Sequence, residues 1–250
     1  MSKVVKIKSQ LKKEKNNLLL GVALTFILSL VFSASGLSLL LAIMLQKSAL
    51  HISIPVIFIV SAFLGFVFFI NIKKKYDILK SGVRGEENTL KLLKKLPGDY
   101  TVITNPVIHN RGITMELDFV VIGKNGVFIV ESKNYRGTVC GKTSGSSWKQ
   151  IKYGKNGKTY EKEVSNPARQ SYRQKQILSE LLRDMKINVS VFSVLYFVDS
   201  RTELRIQDDA DLNIAIINNE KVLLELIKNT KGKDKISSDE LVKIIRQFKK

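Results

Sequence analysis

The chain is short of the residues that staple small folds or hold soft metals: it has one cysteine, Cys140, and two histidines, His51 and His109, far apart in sequence. An internal disulfide is therefore excluded, and a Cys/His zinc site has no support. Acids are scarce too, 22 against 41 lysines and arginines, for a formal net charge of +19. Such an excess calls for anionic partners, either phosphates or acidic lipid headgroups. Neither a Gly-x-x-x-x-Gly-Lys-Ser/Thr loop nor a Gly-x-Ser-x-Gly elbow occurs, and no internal repeat is evident.

Charge is also missing from two long runs, and there its absence is informative. After a lysine-rich opening over 1–15, no charged side chain occurs from Asn16 to Gln46, nor from Ser48 to Ile72. Each run exceeds the ~20 apolar residues that cross a bilayer, and one short turn around Lys47 joins them into a helical hairpin over 16–72. Lysines crowd both outer flanks, with Lys73, Lys74 and Lys75 closing the second run. That asymmetry places the N-terminus and everything after Lys73 in the cytoplasm and lets the flanks touch anionic lipid. A cleavable leader ending near Phe32–Gly36 is the competing reading, but the apolar run continues through Leu45. Ser29 with Ser33 and Ser61 with Gly65 are small-residue pairs four apart, suited to close packing inside the hairpin. His51 reads as an interfacial residue.

A basic linker is expected over 73–80, then a globular domain over 81–199 and a β-α-α extension over 200–250. A helix runs from Ser81–Glu86 to Leu96, stopped by Pro97-Gly98. Glu87 aligns with Lys91 and Lys94 as a surface acid, whereas Glu86 shares the inward stripe of Leu90 and Leu93 and needs a partner. The segment from Tyr100 to His109 reads as a strand broken at Asn105-Pro106, with His109 outside any chemistry. Between Gly137 and Tyr160 lies an exposed β excursion. Its Trp148 and Lys149 suit stacking on bases and holding phosphates, or Trp148 is a small packing anchor. Asn166-Pro167 starts a helix to about Met185, whose core stripe of Leu178, Leu181 and Leu182 carries back to Gln174 and Gln170. Arg169 and Arg173 beside them suit a nucleic-acid backbone. Val189–Val198 is a central strand and Leu212–Ile217 another, a helix starts near Glu220, and Ser237–Glu240 caps a last helix ending near Phe248.

The centre of the chain is Met115–Tyr135. Two apolar runs, Phe119–Ile122 and Val127–Val130, flank Gly123-Lys-Asn-Gly126 and predict an antiparallel hairpin. With Lys124 and Asn125 as the loop, Asp118 falls opposite Glu131; an Asn-Gly loop pairs Asp118 with Lys133 instead. Asp118, Glu131 and Lys133 share one face in either register, and only a three-residue loop separates them. Two neighbouring carboxylates stay ionised only around a cation, and oxygen ligands favour Mg²⁺ or Mn²⁺. Lys133 would orient or deprotonate an attacking water and offset developing charge. The alternative is a plain hairpin whose charges pair as a salt bridge in solvent.

Five stretches together resemble the nuclease-related domain (NERD) family, a branch of the PD-(D/E)xK nuclease superfamily: Gly82-Val-Arg-Gly-Glu86, Leu117-Asp-Phe-Val-Val-Ile-Gly123, Gly126–Gly137, Trp148-Lys-Gln150 and Asn166-Pro-Ala-Arg-Gln170. The resemblance implies an α/β fold with an α-β-β-β-α-β core behind the two transmembrane helices. It implies Asp118 and Glu131 as metal ligands with the backbone carbonyl of Ser132, Lys133 as the catalytic lysine, Glu86 as the first-helix acid and Gln170 as the second-helix polar residue. Leu117 replaces the superfamily's proline. The expectation is a membrane-anchored, Mg²⁺-dependent nuclease acting on nucleic acid, DNA first, at the cytoplasmic face. The competing class is a non-catalytic module that binds nucleic acid or protein.

Overall fold

The structure is a computed structural model and describes residues 1–46, 52–154, 158–232, 240, 243–244 and 248. The chain forms two compact units, one of Gln10–Val83 and one that joins Met1–Ser9 to Arg84–Lys250. Its first elements are β1 (Lys3–Lys6), α1 (Gln10–Gln46) and α2 (Ser53–Leu93).

Within Gln10–Val83 the two helices pair as a hairpin. A Cβ on Gly65 would come 2.8 Å from Ser29 Oγ, so the small-residue positions meet each other, as the spacing suggests. Phe26 faces Phe69 at 5.2 Å between ring centroids, and Phe32 faces Phe58 at 5.6 Å. The outward sides leave Leu20, Leu37, Phe63 and Phe68 exposed. Both helices are long and apolar enough to cross a membrane. The turn with Lys47 and His51 lies outside the described residues.

Two expectations fail here. The stretch 73–80 is no linker: it holds neither Gly nor Pro, Lys73 meets Asp77 one turn on at 3.1 Å, and α2 runs through it unbroken to Leu93. Nor is the basic opening merely a flank. Lys3–Lys6 pair in parallel with Thr101–Thr104, Val4 packs into one core and Val5 and Ile7 into the other. Alternation over Lys-Val-Val-Lys was too short a signal to stand out from the surrounding lysines.

After α2 come β2 (Thr101–Thr104), β3 (Val107–Asn110), β4 (Ile113–Glu116), β5 (Phe119–Gly123), β6 (Gly126–Lys133), β7 (Thr138–Lys142), β8 (Ser147–Tyr153) and β9 (Thr159–Ser165). Then follow α3 (Pro167–Asp184), β10 (Val191–Phe197), β11 (Glu203–Gln207), β12 (Ile214–Ile217) and α4 (Glu220–Asn229). The main sheet has the order β1-β2-β5-β6-β10-β12, antiparallel from β2 through β6 and parallel elsewhere. The implied α-β-β-β-α-β order is thus α2, β2, β5, β6, α3 and β10 in a mixed α/β fold.

Both faces of this sheet are covered, which is why its strands read as unbroken apolar runs. Phe119, Val121, Phe128 and Val130 pack with Leu93 and Leu96 on one side and with Leu223 and Ile227 of α4. Val120, Ile122, Val127 and Ile129 face Leu178, Leu181 and Leu182 of α3, together with Ile244 and Phe248. Of the expected capping box only Glu240 is among the described residues.

The β excursion is a second sheet, β11-β7-β8-β9, with the unforeseen β11 parallel to β7. Trp148 is 1% exposed, packs with Ala168, Leu195 and Phe197, and donates Nε1–H to Lys142 O at 2.9 Å. The packing-anchor reading therefore holds and base stacking does not: a ring sealed in a core has no free face to offer.

Candidate active site

The hairpin register follows from its two glycines. Gly123 pairs with Gly126 and Phe119 with Val130, so Lys124 and Asn125 form the loop and Asp118 stands beside Glu131 just past the last paired residues. Period-two alternation sets Asp118, Glu131 and Lys133 on the α3 side of the sheet, with Val120, Ile122 and Ile129. Here α3 lays Gln170 and Gln174 over them. Asn166 fixes that helix end, accepting from Ala168 N and Arg169 N while its Nδ2 donates to the carbonyls of Lys142, Thr143 and Gly145.

Glu131 is the hub. Only 2% exposed, it accepts at Oε1 from Lys133 Nζ (2.6 Å) and Gln170 Nε2 (2.8 Å), and at Oε2 from Gln174 Nε2 (2.8 Å). Lys133 also donates to Gln170 Oε1 at 3.1 Å. Three donors, one of them charged, satisfy this buried carboxylate. The salt bridge foreseen as the plain alternative does exist, but its side chains are 19% and 3% exposed, so it is an interior pair and not a solvated one.

Asp118 Oδ2 accepts from both the N–H and the hydroxyl of Ser132, at 2.8 and 2.9 Å. Its Oδ1 makes no hydrogen bond among the described residues. Burial first, then the charge of Glu131, and more weakly that of Glu86, push its carboxyl well above the usual aspartate range, against the pull of Lys133 and the Ser132 N–H. Burial alone would lower Lys133, but Glu131 beside it, then Asp118 and Tyr135, outweigh that and hold its ammonium above the ordinary lysine value. That holds Lys133 as a cation donating to Glu131 and Gln170. Tyr135, to which sequence reasoning gave no role, lies near enough to affect Lys133 and is itself pushed up by burial.

Glu86 faces inward while Glu87 is exposed, as their phase on the helix predicts. The partner of Glu86 is one the sequence reading passed over. Asn105 donates Nδ2 to Glu86 Oε2 at 3.4 Å and its N–H to Asp118 O at 2.9 Å, from a left-handed backbone at φ 52°. The Asn-Pro break was visible; that it ties a helix acid to a strand acid was not. Among the described residues no three His, Cys, Asp or Glu side chains gather closely enough to hold a metal alone. Glu86 raises the Asp118 carboxyl through its charge, and Asn105 links the two. Arg169 and Arg173 are exposed on α3, and Lys149 pairs with Glu161 at 3.5 Å. Among the described residues, Gln174 Oε1 is a buried polar atom at the site without a hydrogen-bond partner.

The chemistry on offer is a set of hard oxygens, an open Asp118 Oδ1 and crowded negative charge, which fits Mg²⁺ or Mn²⁺ better than any softer ion. Asp118, Glu131 and the Ser132 carbonyl are the groups that would hold it.

Residues 81–198 match the family model described as nuclease-related domain, NERD. An uncharacterized protein of Bacillus anthracis is 32% identical over 105 residues, which are 41% of this chain and 47% of that protein. The chain thus spans about half the length of the curated relative it matches.

Proposed function

We propose that this nuclease-related domain is a divalent-cation-dependent phosphodiesterase acting on nucleic acid, DNA first, and held at the cytoplasmic face of a membrane by α1 and α2. The observation that carries the reading is the buried Glu131, gripped by Lys133, Gln170 and Gln174, with Asp118 beside it and one carboxylate oxygen open. Asp118, Glu131 and the Ser132 carbonyl would hold Mg²⁺, which supplies Lewis acidity toward a phosphate oxygen. Lys133 keeps its proton at Nζ and donates to the phosphoryl oxygens, where negative charge develops. Gln170 and Gln174 aim Glu131, and Gln170, which also accepts from Lys133, releases it toward substrate when the phosphate arrives. Arg169 and Arg173, exposed one turn apart on α3, suit the flanking backbone.

The pairing of β1 with β2 supports the topology. Residues 3–6 and 101–104 belong to one folded sheet, so the chain between them must leave and return on the same side. Two crossings satisfy that, and the lysine flanks favour the cytoplasm for both ends. The same pairing counts against a cleaved leader, which would remove β1.

The test is cleavage of labelled DNA by the full chain in detergent, with Mg²⁺. Activity that is lost on chelation and in Asp118→Ala and Lys133→Met supports the assignment. Salt-sensitive binding without cleavage, indifferent to Lys133→Met, supports the non-catalytic module instead.

A further inference from the structure

Tyr196 lies on the opposite side of the sheet from the candidate active site, in register with Ser132, at the carboxyl end of the parallel strand β10. Crevices beyond the carboxyl ends of parallel strands are where such sheets bind ligands. Its side chain is 2% exposed, yet its hydroxyl makes no hydrogen bond among the described residues. That hydroxyl has a donor to offer whatever enters the space before it. What lies before it is a cavity of about 310 Å³, at the small end of ligand pockets, lined also by Asn88, Lys91, Lys95 and Glu220.

The polar lining is two cations, an amide and a hydroxyl that can all donate, with one acid. Asn88 and Lys91 make no hydrogen bond or ion pair among the described residues. Positive charge at the end of α2 is favoured by the helix dipole in any case, but the dipole does not account for the empty-handed Tyr196. The acceptor, Glu220, opens the ten-residue helix α4 and reaches Lys95 at 3.7 Å, with both side chains about 60% exposed. An exposed pair at that distance is weak, so an incoming anion competes with it on easy terms. Glu220 occupies a place that a stronger anion would take: a helix N-terminus beside two lysines.

We propose that this cavity binds a phosphate monoester, carried on a small soluble molecule such as a nucleotide or on the 5′ end of a nucleic-acid strand. Lys91 and Lys95 neutralise it, Asn88 and Tyr196 donate to it, and Glu220 swings aside. The site stands apart from the reaction proposed above and needs no divalent cation, so it is measured in chelator.

The experiment is equilibrium dialysis of the full chain in detergent against adenosine 5′-monophosphate, with adenosine as control. Binding of the monophosphate but not the nucleoside is expected. Lys91→Ala should weaken it by about tenfold, the loss of one charge-assisted contact. Tyr196→Phe, which removes only the hydroxyl, should weaken it severalfold, and Glu220→Gln should tighten it. Competition by a 5′-phosphorylated oligonucleotide and not by its 5′-hydroxyl twin assigns the site to strand ends; failure of both assigns it to small molecules. No binding at millimolar ligand, equal binding of adenosine, or an affinity unmoved by Lys91→Ala and Tyr196→Phe would overturn the proposal, whether or not the chain cleaves DNA.

Discussion

Asp118 bears the strain of the candidate site. Burial and two neighbouring acids favour its protonated form in the folded chain. A carboxyl whose pKa is raised by folding contributes stability below the ordinary aspartate value and loses it as pH rises through the raised one. The chelated protein is therefore expected to melt at a lower temperature at pH 8 than at pH 5, as far as this group decides it. Added Mg²⁺ should restore more at pH 8, because the ion needs the carboxylate. Asp118→Asn removes the repulsion while keeping an oxygen for Ser132. It is expected to raise the melting temperature in chelator and to abolish the Mg²⁺ increment, a trade of function against stability. Melting curves at both pH values check it; a destabilised Asp118→Asn that still responds to Mg²⁺ would remove Asp118 from the ligands. At Glu131, Gln174→Leu leaves a buried carboxylate oxygen without its donor and should cost about 1–3 kcal/mol in denaturant unfolding.

Helix α3 is the element that turns a hairpin into a site. Asn166 caps it and, through three carbonyls, ties it to the β7–β8 turn, so its first turns present Gln170 and Gln174 at a fixed angle. Asn166→Ala is expected to cost about 1–2 kcal/mol for the cap alone. Cleavage should fall with it, since the glutamines shift off Glu131, and Asn166→Asp, which retains the cap but not the three donations, should fall between. The cap, the helix and the shared face of the hairpin were legible because each rests on local chemistry: Asn-Pro at a start, a 3.6-residue stripe, period-two alternation on both strands; between a Lys-Asn and an Asn-Gly loop only the structure decides. What was hidden depends on partners distant in sequence. β1 finds β2 98 residues on, Lys3 pairing with Thr101. β11 joins β7, Asn105 reaches Glu86, and Trp148 disappears beneath α3. Helix continuity over 73–80 was missed for the opposite reason: a charge run resembled a linker although nothing in it breaks a helix.

The whole molecule is arranged as a basic domain whose edge strand precedes both apolar helices. Val4, Val5 and Ile7 are half-buried in its two cores, so deleting residues 2–8 should destabilise the domain by about 2–4 kcal/mol and bare the edge of β2. A fragment that begins within α2 lacks this strand, and the full chain in detergent is the proper sample. Intact-mass measurement of protein recovered from membranes should find β1 retained; a chain starting near Gly36 would contradict two crossings.

The central claim is that Asp118, Glu131 and Lys133 form a working phosphodiesterase centre. The most direct measurement is the rate of DNA cleavage by the full chain with Mg²⁺, set beside Asp118→Ala and Lys133→Met. Turnover is expected in the wild type, with its loss in chelator and a fall of at least about a hundredfold in each variant, the scale of removing one group that stabilises transition-state charge. Cleavage that persists equally in all three proteins, or is absent from a folded, Mg²⁺-binding wild type, would contradict it.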